Sequence, residues 1–212
     1  MSIDNFENMN QCWYLAFVGR PNAGKSSLIR RLTTLSPTVG KKPGSTRRLN
    51  EYLLDPKMKV VDIPGWGRIH SRPKSYEDKI KDRIISFFET NHSRIAACVQ
   101  VIDAKSLIEV SQRLSKKGII PLDKELYFFL KELEIKPIVA LNKVDKISPR
   151  ELKRTINYFK KAINFPEGQN HKNIIVPVSA FKGTNLDILR DLIRQHFKKK
   201  GLEEFIPLVK VS

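Results

Sequence analysis

The stretch Trp13-Tyr14-Leu15-Ala16-Phe17-Val18-Gly19-Arg20-Pro21-Asn22-Ala23-Gly24-Lys25-Ser26 decides the fold. It opens on an apolar run of strand length. From Gly19 onward it fits the phosphate-loop pattern G-x-x-x-x-G-K-[ST]. Glycine lets a backbone turn tightly enough to aim successive N–H groups at phosphate oxygens. Lys25 can then reach the outer phosphates, and the Ser26 hydroxyl is placed to bind Mg²⁺. From Ser27 to Leu32 the chain should continue as a helix, with its positive N-terminus under the phosphates.

Three later segments extend this reading. Asn142-Lys143-Val144-Asp145 follows another apolar run, Pro137 to Leu141. A carboxylate there can accept hydrogen bonds from the ring N–H and the exocyclic amine of guanine. Adenine offers neither donor, and a buried carboxylate left unpaired is costly. Asn142 would tie the base loop together, with the Lys143 stem over the base plane. Asp62-Ile63-Pro64-Gly65 closes the run Met58 to Ile63. Asp62 can hold a water on Mg²⁺, and the Gly65 N–H can meet a terminal phosphate. Val178-Ser179-Ala180 ends a further run, and the Ala180 N–H would donate to the guanine carbonyl oxygen. Between the phosphate loop and Asp62 lie Gly44-Ser45-Thr46. Thr46 is the candidate second hydroxyl ligand of Mg²⁺, engaged only by a terminal phosphate, which makes its segment a switch.

Together the runs G-R-P-N-A-G-K-S, P-G-S-T, D-I-P-G, N-K-V-D and S-A resemble the translation-factor-type GTPases of the TrmE–Era–EngA–EngB group. The K-K-P-G-S-T-R and D-I-P-G-W-G runs are most similar to its EngB type, and the likeness spans about residues 12–200. It implies Mg²⁺-dependent GTP hydrolysis, large ribosomal subunit assembly, and a part in cell division and septation. Residues 19–27, 44–46, 62–65, 142–145 and 178–180 become the implied GTP and GDP contacts, with Lys25, Thr46 and Gly65 as the catalytic set. Where Ras-type enzymes orient water with a glutamine, this chain carries Trp66. An indole has one donor and no acceptor, so intrinsic hydrolysis should be slow. Either the ribosome completes the site, or K⁺ binds beside the phosphates with Asn22 as its ligand. Asn22 also reads as a simple turn residue, and Trp66 as a packing residue.

The whole chain alternates strand and helix. Strands are expected near 12–18, 49–54, 58–63, 95–102, 137–142 and 173–178, and helices near 25–33, 75–91, 122–133, 149–164 and 184–199. A further helical insert is expected within 104–120. This is the α/β, three-layer P-loop GTPase pattern: a six-stranded, mostly parallel sheet with helices on both faces. The short Asp55-Pro56-Lys57 link predicts a hairpin and one antiparallel edge strand. Ser148 to Glu151 reads as a capping box, and Thr184 to Asp187 as a similar cap. One GTPase domain over 1–212 is expected, with 1–11 and 201–212 as terminal extensions.

Composition excludes several classes. No apolar run approaches the ~20 residues of a membrane span. The acids Asp4 and Glu7 and the lack of an early apolar stretch argue against a secretory signal. Cys12 and Cys98 read as core thiols in a cytoplasmic, monomeric protein. The formal net charge of +17 points to a polyanionic partner. Lys41, Lys42, Arg47 and Arg48 crowd one switch, and Arg68, Arg72 and Lys74 the other. Ribosomal RNA, bound according to nucleotide state, is the expected partner. A third group, Arg190, Arg194, Lys198, Lys199 and Lys200, reads equally as helix capping and solubility. A metabolic ATPase and a protein-binding septation factor are the competing classes; Asp145 argues against the first and the basic switches against the second.

Overall fold

The computed structural model of the chain describes residues 12–36, 49–65 and 74–210. Its strands are β1 (Trp13–Val18), β2 (Asn50–Asp55), β3 (Met58–Asp62), β4 (Ile95–Asp103), β5 (Ile138–Asn142) and β6 (Ile175–Pro177). They form one sheet in the order β2-β3-β1-β4-β5-β6. β2 runs antiparallel to β3 through the expected hairpin, and the other pairings are parallel. The α-helices are α1 (Lys25–Leu32), α2 (Lys74–Asn91), α3 (Leu107–Ser115), α4 (Leu122–Glu132), α5 (Pro149–Ala162) and α6 (Leu186–Lys198). The insert expected within 104–120 is α3.

β1 shows how sequence becomes layers. Its side chains alternate across the sheet. Leu15 and Phe17 join one core with α1, α6 and the C-terminal residues Phe205 and Val209. Tyr14, Ala16 and Val18 join another with Ile84, Phe87 and Phe88 of α2 and Leu126 and Leu130 of α4. A strand buried on both faces reads as an unbroken apolar run, as β1 does. Phe17, Phe88, Phe159 and Phe197 are fully buried, each contributing about 1.5–3 kcal/mol by leaving water. The apolar stripe of α6 (Leu186, Leu189, Ile193, Phe197) is entirely core.

Two local expectations are corrected. α5 begins with a true capping box: Glu151 N–H donates to Ser148 Oγ, and Ser148 N–H to Glu151 Oε2. The start of α6 does not. Its cap residue is Asn185, at φ 53°, with no side-chain cap bond. Asn185 Nδ2 donates instead to the Pro177 carbonyl at 2.8 Å, and Thr184 bridges to Ser179. Pairing within the loop wins over the Thr-x-x-Asp pattern. Cys12 is also not a core thiol. It precedes β1, is only half-buried, and its thiol donates to the Pro56 carbonyl at 3.6 Å; Cys98 is buried.

The segment after α6 packs back onto the domain. Phe205 and Val209 are buried, Val209 bridges to Thr33, and Lys210 N–H donates to the Leu32 carbonyl. Arg190 is buried too, and Arg194 donates to the Val209 carbonyl at 2.9 Å. These two arginines of the third basic group are therefore structural.

The chain leaves β1, builds β2 and β3 on one side, and returns to place β4 on the other. Crossovers diverge beside β1, so a crevice opens at the carboxyl ends of β1, β3, β4 and β5. Among the described residues no helix is long and apolar enough to cross a membrane.

Candidate nucleotide site

The phosphate loop fills that crevice between β1 and α1. Gly19 has φ 146°, and a Cβ there would lie 2.1 Å from the Val101 carbonyl oxygen of β4. Only a residue without a side chain lets the loop pass so close to the neighbouring strand. Gly19→Ala should therefore destabilise the domain by about 2–5 kcal/mol, from strain plus backbone collision. Urea unfolding measures this, and a variant within about 0.5 kcal/mol of the parent would contradict the geometry. Gly65, after β3, packs on the same loop: a Cβ there would lie 2.4 Å from Pro21 N. Ala23 is buried, while Asn22 is exposed in the left-handed region at φ 60°.

Lys25 opens α1 and is 6% exposed. Its ammonium donates to the carbonyls of Gly19 (3.1 Å) and Arg20 (3.0 Å). Burial pulls its pKa from 10.5 down to about 8, although Asp62 and Asp123 oppose the drop. A phosphate bound beside it would pull the value back up. Affinity for nucleotide should therefore fall as pH rises through 8, and binding above that pH should take up a proton. Calorimetry of GDP binding at about pH 8.5, in buffers of different ionisation enthalpy, reads this directly. Zero uptake would mean that Lys25 stays charged in the ligand-free chain.

Two partners of the loop carry no sequence motif. Arg20 Nε pairs with Asp123 Oδ2 at 2.7 Å, and Arg20 Nη2 donates to Ser106 Oγ at 3.4 Å. Asp123 lies in the first turn of α4 and is 3% exposed. Its pKa is raised to about 6 because burial outweighs the attraction of Arg20. Gln100 of β4, fully buried, donates to the Asp123 carbonyl at 2.7 Å. The loop is thus anchored sideways to α4. The second partner is Asp103 at the end of β4. It accepts from Lys143 Nζ at 2.6 Å, and the same ammonium donates to the Asn22 carbonyl.

Ser26 and Asp62 meet where a metal is expected. Ser26 Oγ donates to Asp62 Oδ2 at 2.5 Å. Asp62 is 1% exposed and its other oxygen, Oδ1, is buried without a hydrogen-bond partner among the described residues. Burial raises the Asp62 pKa, against the Ser26 bond and Lys25. A hydroxyl and an orphaned carboxylate oxygen side by side are hard donors of the kind Mg²⁺ takes, so the residues fit that ion.

The base end is held by cross-loop bonds. Asn142 is 2% exposed; its Nδ2 donates to the Ala23 carbonyl at 2.8 Å, and its Oδ1 accepts from Ala180 N–H at 3.0 Å. The Ala180 N–H expected to face guanine is thus engaged by Asn142, so Ala180 acts first in joining the two loops. Val144 N–H donates to the Val178 carbonyl, and Ser179 Oγ to Asp145 Oδ1 at 2.5 Å. Lys143 adopts φ 67°, a left-handed turn that its double ammonium contact holds in place. A cavity of about 560 Å³ opens here, lined by Gly24, Ser27, Asn142, Lys143, Asp145 and Ala180. Lys146 lies next to Asp145 on its wall, and Arg30, Arg31 and Phe181 complete its rim, with Phe181 80% exposed. No motif marked these three; the exposed aromatic beside Ser179-Ala180 was the available signal. Gly44, Ser45, Thr46 and Trp66, with Lys41, Lys42, Arg47, Arg48, Arg68 and Arg72, lie outside the described residues.

Comparison with known proteins agrees with this geometry. Residues 14–143 match the family model for 50S ribosome-binding GTPases. The chain is 37% identical over 194 residues to a probable GTP-binding protein EngB of Methanopyrus kandleri, covering 90% of this chain and 95% of that one. The crystal structure of a probable GTP-binding protein EngB superposes with TM-score 0.79 at 38% identity, over 88% of this chain and 99% of the other. Era in complex with MgGDPNP and a segment of 16S ribosomal RNA superposes with TM-score 0.58 at 26% identity, over 95% of this chain and 58% of Era. A phosphate loop, a buried strand-end aspartate and an N-K-x-D base loop at one crevice, together with these likenesses, place the chain in the 50S ribosome-binding GTPase family as a GTP-binding protein of EngB type.

Proposed function

We propose that this chain is a GTP-driven switch in assembly of the large ribosomal subunit. The observation that carries the reading is the convergence on one crevice of Lys25 and Ser26, Asp62, and Asp145 from three separate stretches of sequence. The family model describes 50S ribosome-binding GTPases, and Era, which shares the fold, is held with ribosomal RNA in its own crystal. The basic residues of stretches 34–48 and 65–76 carry the positive charge such a partner needs.

In this mechanism the loop N–H groups from Asn22 to Ser27 hold the phosphates. Lys25 exchanges its carbonyl partners, Gly19 and Arg20, for the outer phosphates. Asp145 accepts from the guanine edge and the Lys143 stem covers its face. Mg²⁺, held by Ser26, by Thr46 and through water by Asp62, would neutralise charge on the outer phosphates. The Gly65 N–H fixes the terminal phosphate. Thr46 and Gly65 thereby report on that phosphate and order their segments around it. Hydrolysis releases them, slowly, because Trp66 supplies no acceptor for the attacking water. The chain works as one cytoplasmic, monomeric GTPase domain, and a part in cell division follows through ribosome supply.

The test is binding to large ribosomal subunits with a non-hydrolysable GTP analogue or GDP across a salt series. Tighter binding with the analogue and a steep loss with salt are expected. Equal binding in both states, or no salt slope, would overturn the switch. K⁺ beside the phosphates, with Asn22 as ligand, should raise GTP turnover over Na⁺ at equal ionic strength. Equal rates would leave activation to the ribosome alone.

A further inference from the structure

At the opposite end of the sheet, among the amino ends of β1, β4 and β5, lies a second cavity of about 290 Å³. Its floor is apolar, from Ile95 to Cys98 and Ile135. Its walls carry Lys136, Lys199 and Lys200, with His92, His196 and a single acid, Glu134. Among the described residues none of these three lysines forms an ion pair.

Helix capping does not account for them. The end of α6 is closed by backbone: Lys200 N–H and Leu202 N–H both donate to the Phe197 carbonyl, and Gly201 N–H to the Lys198 carbonyl. Gly201, at φ 68°, makes that turn. Lys199 and Lys200 line the cavity. Lys200 lies over the Trp13 ring, its ammonium 5.7 Å from the centroid, which holds the cation in place at the rim. His92 is turned by its contact to the Glu89 carbonyl at 2.8 Å.

We infer that this cavity is a binding site for one phosphate group, separate from the nucleotide crevice. Three lysines against one acid around a small space with an apolar floor suit a compact, multiply charged tetrahedral anion. A lone carboxylate would call for the fork of an arginine instead. At about 290 Å³ the pocket lies at the small end of ligand cavities, which suits a single phosphate better than a base with its phosphates. The surroundings of His196 support the reading. Burial, then Lys199, Lys200 and Lys136, push its pKa down to about 4. The ring stays neutral and is an uncharged reporter of any anion that enters.

The same chemistry belongs to free phosphate and to the backbone of an RNA strand, and the test separates them. Inorganic phosphate is titrated while the His196 ring is followed by nitrogen-detected NMR. The His196 pKa should climb from about 4 toward its ordinary 6.5 as phosphate binds. The dissociation constant should be about 10 mM or lower. The triple variant Lys136→Gln/Lys199→Gln/Lys200→Gln should bind phosphate at least about tenfold more weakly with GDP affinity unchanged. Lys136→Glu alone serves if the triple variant folds poorly. A single-stranded RNA oligomer that displaces the phosphate identifies a strand as the source; one that does not identifies a free anion. No movement of His196 with phosphate, or undiminished binding by both variants, would overturn the site. Because GDP binding is read separately, failure here leaves the switch proposal standing.

Discussion

Asp145→Asn should weaken GDP binding by about a hundredfold or more. The carboxylate accepts two guanine N–H groups at once, and hydrogen bonds to a charged group contribute about 1.5–3 kcal/mol each. An asparagine amide keeps one acceptor and turns a donor toward the exocyclic amine, itself a donor. Stability should barely change. Asp145 is exposed, and its bond from Ser179 Oγ survives through the amide oxygen. The change also makes a positive forecast. Xanthine carries a carbonyl where guanine has its amine, so the variant should prefer xanthosine diphosphate to GDP. Calorimetric titration of both nucleotides reads the pair of effects. Undiminished GDP binding would remove Asp145 from the base site.

Asp123→Ala should cost about 3–5 kcal/mol of stability, the usual effect of breaking a buried ion pair and stranding one charge. The Arg20 side chain is only 12% exposed, so water cannot replace its partner. Denaturant unfolding would show it. Replacing both partners, Arg20→Met with Asp123→Leu, should recover most of that loss, because burying the carboxylate is itself unfavourable, as its raised pKa records. Nucleotide affinity should not recover in the double variant. Its phosphate loop would have lost its tie to α4, and a loop that must be ordered on binding binds more weakly. A double variant with parental GDP affinity would make the ion pair a matter of folding alone.

The phosphate loop, the strand-end aspartate and the N-K-x-D loop were legible in the chain because each is a local backbone conformation demanded by its own residues. Gly19 and Gly24 turn where no other residue fits, and apolar runs before each motif put them at strand ends. The hairpin of β2 and β3 was legible for the same reason, since Pro56 and Lys57 leave no room for a crossover. The start of α6 was misread because Asn185 and Thr184 bond across the loop to Pro177 and Ser179, which lie outside the four residues of a capping pattern. Asp123 carried no motif at all. Its partner, Arg20, is distant in the chain and meets it only because α4 packs beside β1.

Order of strands and helices, the phosphate-binding loop and the choice of guanine were set by short-range pattern, since glycine turns and apolar periodicity act within a few residues. Folding alone decided that Lys25 sits buried with its proton loosely held. It also decided that Arg20 is tethered to Asp123, and that Arg190 and Arg194 serve packing while Lys199 and Lys200 line a cavity. Those properties depend on how much water each charge loses and which distant group replaces it, and desolvation exists only once the layers have closed.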